Sequence, residues 1–196
     1  MVAVEPDQQR AEQQKKQFYR ETIYSITGGR LDICDREALV PYVTRSEICT
    51  EVTAASQVSE ARRDVEHVCR VHGLTGSRLD MFMVAVGEAI TNALKHGSRG
   101  TVYAGGDDSE VWVGIEDDGP GIESLILPRA VLLRGFSTKP SLGLGYTVML
   151  EAADEIHLKT DDTGTFVVLR KGLTEQEPEI DVRDLPDPWD NIPASS

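Results

Sequence analysis

The chain has 196 residues, with 20 lysines and arginines against 33 aspartates and glutamates, a formal charge of −13. That length suits one domain with room for tails, and 40% hydrophobic with 27% charged residues is a globular balance. The acidic total argues against a direct nucleic-acid binder, which needs a basic face for phosphates, and against docking on anionic lipid. No apolar run reaches the ~18 residues of a membrane helix, and the polar stretch through Arg20 lacks the apolar core of a signal peptide.

In chain order, residues 1–20 read as a polar tail or frayed helix, and residues 21–172 as a single domain whose core spans about 45–171. Ahead of that core, residues 21–43 read as extra N-terminal strands, the clearest being Arg30–Cys34 after the Gly28-Gly29 turn. Arg45–Val52 is a second strand. Ser56–His72 is an amphipathic helix with Val58, Ala61, Val65, Val68 and Cys69 on one side and Gly73 as its stop. Ser77–His96 has the strongest helical pattern: Ser77 and Asp80 resemble a capping box, Gly97 supplies the stop, and Leu79, Phe82, Val86, Ile90 and Ala93 face a core.

Two strands follow, Thr101–Ala104 and Val111–Glu116, joined by a Gly105–Ser109 turn. A short helix is expected near Ile126–Leu133, and another over Gly145–Ala153. Strands Glu155–Lys159 and Thr165–Leu169 close the sheet. These elements predict an α+β class, a mostly antiparallel sheet with helices packed on one face.

Residues 173–196 hold seven acids against Arg183 alone, together with Pro178, Pro186, Pro188 and Pro193. Such a segment cannot bury enough apolar surface to fold by itself and reads as a mobile tail. Trp189 within it reads equally as an anchor to a partner or as an incidental exposed aromatic. Cys34, Cys49 and Cys69 are odd in number and lack CxxC spacing. That argues against a disulfide framework or a zinc site, and for small core residues in a reducing cytoplasm.

On the strong helix Glu88, Asn92 and His96 recur four residues apart as a polar stripe. In isolation the stripe reads as a solvated face with a capping histidine. Downstream, Asp117-Asp118-Gly119-Pro120-Gly121-Ile122 follows a strand. Its glycines would let backbone approach a flat ligand, and its carboxylate could accept from an amino group; alone it also reads as an ordinary acidic turn. Ser141-Leu142-Gly143-Leu144-Gly145 then runs into a helix whose N-terminal amides suit anionic oxygens, with Lys139 just ahead.

Taken in order, E-x-x-x-N-A on a helix, D-x-G-x-G-I after a strand and G-x-G at a helix start resemble the GHKL ATP-binding family over residues 45–171, with Gly164-Thr165 matching its last hairpin. Within it, Gly87–Ala93 with His96-Gly97, Phe136–Pro140 and Gly143–Met149 are most similar to the bacterial anti-sigma-factor serine/threonine kinases. The resemblance implies a two-layer ATPase-type sandwich that binds ATP and Mg²⁺. It implies that Asn92 holds the metal, that Glu88 polarises the attacking hydroxyl, and that Asp117 accepts the adenine amino group with support from Thr165. Gly119, Gly121 and Ile122 would line the nucleotide, while Thr138, Lys139, Gly143, Leu144 and Gly145 would cradle the phosphates near Lys95 and His96. It further implies a cytoplasmic regulator of transcription whose partner is a sigma factor, an anti-sigma antagonist or both, and a homodimer.

Pro140 is followed at once by Ser141-Leu142-Gly143, so the acidic–basic pair that relatives carry in this lid is missing. Two functions therefore stand beside each other: a kinase of a partner switch, or a nucleotide-gated binding module without significant turnover. A histidine-kinase fragment fits less well, since His67 would be its one upstream phosphoacceptor and no two-helix stem precedes it. A mismatch-repair or topoisomerase role lacks a transducer domain. Local charge suits a polyanion, because residues 124–150 contain no acid and carry Arg129, Arg134 and Lys139, whereas Glu116, Asp117 and Asp118 cluster at the adenine end.

Overall fold

The computed structural model describes residues 6–122 and 145–174. Their elements run α1 (Pro6–Ile26), β1 (Leu31–Ile33), α2 (Arg36–Thr44), β2 (Ile48–Val52), a single 3-10 turn (Ala55–Gln57), α3 (Val58–Val71), α4 (Gly76–His96), β3 (Gly100–Gly106), β4 (Glu110–Asp117), α5 (Gly145–Ala152), β5 (Glu155–Asp161) and β6 (Gly164–Gly172). The strands form one six-stranded sheet in the order β1-β5-β6-β4-β3-β2, antiparallel except for the β1–β5 pair. The α+β class and mostly antiparallel sheet are as expected. No helix among the described residues is long and apolar enough to cross a membrane.

Strand alternation builds the core. Val111, Val113 and Ile115 of β4, Ile156 and Leu158 of β5, and Val167 and Leu169 of β6 share one face. They meet Ala61, Val65 and Val68 of α3, Phe82, Val86 and Ile90 of α4, and Met149 and Ala152 of α5. This is the expected helical layer. Residues one position out of phase, Trp112, Phe166 and Val168, point to the other face, where they bury against Cys34 and Leu39.

The N-terminal region departs from the strand reading. Residues 36–44 form α2, which covers that second face, and α1 extends to Ile26 with Ile23 buried in the main core. Leu39, Tyr42 and Val43 carry helical spacing, but Pro41 inside the helix disguises it. Ion pairs clamp α2 at both ends, Arg36 to Glu116 and Arg45 to Asp107, and the Trp112 indole donates to the Tyr42 carbonyl at 3.1 Å. The Arg45 guanidinium also lies 4.5 Å from the Trp112 ring centre, a cation–π contact.

Smaller differences have local causes. α4 begins at Gly76 after an extended Thr75, because Gly76 at φ +62 turns the chain in one residue ahead of Ser77; no side-chain cap forms there. Gly105 and Gly106 belong to β3 and not to the turn: a methyl on Gly105 would lie 2.7 Å from the Trp112 ring, and one on Gly106 would meet His72. The turn is Asp107–Ser109, held by the Asp107 carboxylate, which accepts the Ser109 amide at 2.9 Å and its hydroxyl at 2.7 Å. Cys34 and Cys69 are buried as expected, but Cys49 is exposed on β2. The helix expected near 126–133 and the acidic segment from residue 175 onward lie outside the described residues.

If α2 packs as a structural layer, Leu39→Ala costs about 2–5 kcal/mol of unfolding free energy. Val40→Ala, on the exposed side of the same helix, stays within about 0.5 kcal/mol. Urea titration followed by circular dichroism separates the two.

Candidate functional site

The site is assembled from the second half of α4, the end of β4, the start of β6 and the start of α5. Ala89, Ile90 and Ala93 pin α4 to the sheet, so Glu88, Asn92 and His96 lie half-buried beside that seam. A methyl on Gly145 would stand 2.7 Å from the Asn92 amide nitrogen. α5 can therefore begin against Asn92 only because residue 145 has no side chain. Glu88 lies one turn earlier on the same stripe. Lys95 and His96 occupy the last turn of α4, each half-buried with a partner in the structure.

Asp117 continues the alternation of Val111, Val113 and Ile115, which aims it into the helical layer. Its Oδ1 accepts the amides of Gly119 at 2.9 Å and Thr165 at 3.2 Å. Oδ2 accepts no hydrogen bond among the described residues, which leaves one acceptor available. Burial pushes the carboxyl above its ordinary value, partly offset by those two amides. Tyr146, on the first turn of α5, feels the same environment: burial first, then the charge of Asp117, pushes its phenol up.

Two glycines allow the loop after β4 to seat on the β5–β6 hairpin. Gly121, at φ +69, has no room for a methyl beside the Asp161 carbonyl, and Gly164, at φ +135, has none beside the Asp117 carbonyl. The Ile122 amide donates to the Thr160 hydroxyl at 2.7 Å, and that hydroxyl lies 3.4 Å from the one on Thr165. Gly119 sits against the carbonyl of His96, where a methyl would approach to 2.8 Å.

Asp118 faces the opposite way and ties the end of α4 to this loop. It accepts the amides of Ser98 at 2.8 Å and Arg99 at 3.1 Å and the Ser98 hydroxyl at 2.7 Å. The Ser98 hydroxyl, then the two amides, lower its pKa to about 2.

The structure thus brings together Asn92 with Gly145, Asp117 with Thr165 and Gly119, and Gly121 and Ile122 with the β5–β6 hairpin. Thr138, Lys139, Gly143 and Leu144 lie outside the described residues. Three contributors escaped the sequence reading. Tyr146 fell within the Gly143–Met149 segment without a role of its own. Asp118 was read only as one of three acids clustered at the adenine end. Thr160 carries no local signal, since its partners lie 38 and 5 residues away.

A family model described as the histidine kinase-like ATPase domain matches residues 51–171. The anti-sigma F factor of Geobacillus sp. (strain WCH70) is 33% identical over 144 residues, which cover 68% of this chain and 97% of that protein. The anti-sigma F factor of Clostridium acetobutylicum is 30% identical over 137 residues, covering 65% of this chain and 86% of its own. Among solved structures, a chain of the SiaB–SiaC complex from Pseudomonas aeruginosa aligns with a TM-score of 0.47 at 17% identity, covering 70% of this chain and 95% of that one.

Because Asp118 is held ionised in the folded state, its stabilising effect is complete above the unfolded carboxylate's pKa and disappears as pH falls through about 2. Asp118→Asn removes that part of the acid limb. Unfolding free energies of the two proteins measured between pH 6 and pH 2 should therefore converge toward the acid end.

Proposed function

The chain belongs to the histidine kinase-like ATPase domain family, and from that membership we propose that it is an ATP- and Mg²⁺-binding anti-sigma regulatory factor, a serine/threonine protein kinase of a cytoplasmic partner switch. The observation that carries the nucleotide reading is Asp117, a half-buried carboxylate with one oxygen satisfied by backbone and the other accepting no hydrogen bond among the described residues. The relatives named anti-sigma F factor, matched over 97% and 86% of their own lengths, support the regulatory part.

The residues fit the ligand. A half-buried carboxylate flanked by glycines suits the edge of an aromatic base, and Asp117 would accept its exocyclic amino group while Thr165 supports the contact. Gly119, Gly121 and Ile122 bring backbone, not side chains, to that wall. The carboxamide oxygen of Asn92 is a hard ligand of the type Mg²⁺ accepts alongside several waters. Glu88, one turn back, would orient and polarise the hydroxyl of a serine or threonine on the partner. Thr138, Lys139, Gly143 and Leu144 would cradle phosphate oxygens with Gly145 at the helix start, and Lys95 and His96 would lie near the phosphates. Mg-ATP supplies the phosphoryl group; the protein's task is positioning and charge neutralisation. The partner is a sigma factor, an anti-sigma antagonist or both, bound by a homodimer.

The short lid favours a second reading, a nucleotide-gated module that switches its partner without significant turnover. The two separate in one assay with γ-labelled ATP and the cognate antagonist. As a kinase, the wild type labels a serine or threonine, Glu88→Gln lowers the rate about 10²–10⁴-fold while keeping ATP affinity, and Asn92→Ala abolishes Mg²⁺-dependent binding. No labelling, with partner binding still gated by ATP, establishes the module instead.

Asp117 also sets a pH dependence. Its acceptor function requires the ionised form, and its pKa is raised, so ATP affinity falls with decreasing pH starting above the range of an ordinary aspartate. Calorimetric titrations from pH 7.5 downward should show that limb in the wild type and not in Asp117→Asn.

A further inference from the structure

The second face of the sheet carries a cluster that the nucleotide chemistry does not use. β1 and β5 pair in parallel with Asp32 opposite His157. Strand alternation puts Cys34, two residues beyond Asp32, on the same face. One donor atom from each of Asp32, Cys34 and His157 lies within 4.8 Å of the other two, and His157 Nδ1 stands 3.9 Å from Asp32 Oδ2. Ligands on a tetrahedral zinc are separated by roughly 3.3–3.8 Å, given zinc–ligand bonds of about 2.0–2.3 Å. Closing that difference requires the side chains to rotate.

The surroundings are those of a supported ligand set. The other nitrogen of His157, Nε2, lies 3.3 Å from the Tyr42 hydroxyl and 3.8 Å from Glu155, and the Tyr42 ring stacks on the imidazole with centroids 5.6 Å apart. Nε2–H can thus donate outward and leave the Nδ1 lone pair for a metal, as metal-bound histidines commonly require. Cys34 is buried and Asp32 half-buried, so the cluster is shielded on one side and open on the other. Acids outnumber bases around it. Asp32, Asp35, Glu110 and Glu155 act on Cys34 or His157 against Arg20 and Arg170, and Arg170 is already paired with Glu110 and Glu155. Cys34 also borders a cavity of about 400 Å³ shared with Tyr19, Arg20 and Asp35.

We propose that Asp32, Cys34 and His157 bind one zinc-like divalent cation at the β1–β5 seam, with water as the fourth ligand. Thiolate, imidazole and carboxylate together suit a borderline-soft ion and not Mg²⁺ or Ca²⁺. On binding, the Cys34 sulfur exchanges its proton for the metal and the proton leaves to solvent; thiolate and Asp32 carboxylate then balance the ion's two charges. The ion would fasten the three-residue strand β1, and with it α1 and α2, to the sheet.

The test uses the tag-free full chain, stripped with chelator and titrated with Co²⁺ and then Zn²⁺. The expected result is one cobalt per chain with a thiolate-to-cobalt charge-transfer band, displaced by zinc, and a higher melting temperature with zinc. Cys34→Ser should lose the band and Asp32→Asn or His157→Gln should weaken binding at least about tenfold. Tyr42→Phe should weaken it about tenfold through the histidine, while Cys49→Ser, on the far edge strand, leaves it intact. Failure of the folded wild type to take up stoichiometric metal overturns the proposal. So does a band that survives in Cys34→Ser, or one unaltered in the half-exposed Asp32→Asn, whose folding is not at issue.

Discussion

Where β4 ends, the carbonyl of Asp117 lies against the α-carbon of Gly164, and a few residues on, the carbonyl of Asp161 lies against that of Gly121. These reciprocal contacts draw the loop after β4 and the β5–β6 hairpin to backbone distance. The rest of the proposed pocket depends on that approach. It places the Thr165 amide on Asp117, the Ile122 amide on Thr160 and Gly119 under the last carbonyl of α4. A side chain at either glycine would hold the hairpin away, and Asp117 would lose one of the two amides that orient it.

The sheet divides two tasks between its faces. One face carries the large apolar core and the proposed nucleotide pocket; the other carries α2, Trp112 and the Asp32–Cys34–His157 cluster. They meet at consecutive residues of β4, since Glu116 is paired with Arg36 of α2 while Asp117 points into the pocket. The backbone between them is the physical connection of the N-terminal segment to the site. Asp118 adds a third restraint by fixing the loop after α4. Three successive acids thus hold three different parts of the molecule.

The parts legible in sequence were those whose signal is local. α4 declares itself through residues three and four apart, the hairpins through alternation and turn residues, and the proposed pocket rests on Glu88, Asn92, Asp117 and the glycines in fixed order. Residues 36–44 were missed as a helix because Pro41 breaks the pattern and because α2 is held by distant partners, Glu116 and Asp107. Gly105 and Gly106 suggested a turn, yet their smallness serves the Trp112 and His72 rings. Cysteine spacing argued against a zinc site, because spacing along the chain cannot register Cys34 beside His157, which the parallel pairing of β1 with β5 brings together.

The consecutive roles of Glu116 and Asp117 have an evolutionary consequence. Alternation assigns each position of β4 to one face, so inserting or deleting a single residue within the strand would send Asp117 toward α2 and an apolar residue into the pocket. Both faces would be scrambled by the same event. Drift in β4 would thereby be confined to substitution at constant length, and even the turn after β3 is constrained, because its Asp107 holds Arg45 at the end of α2.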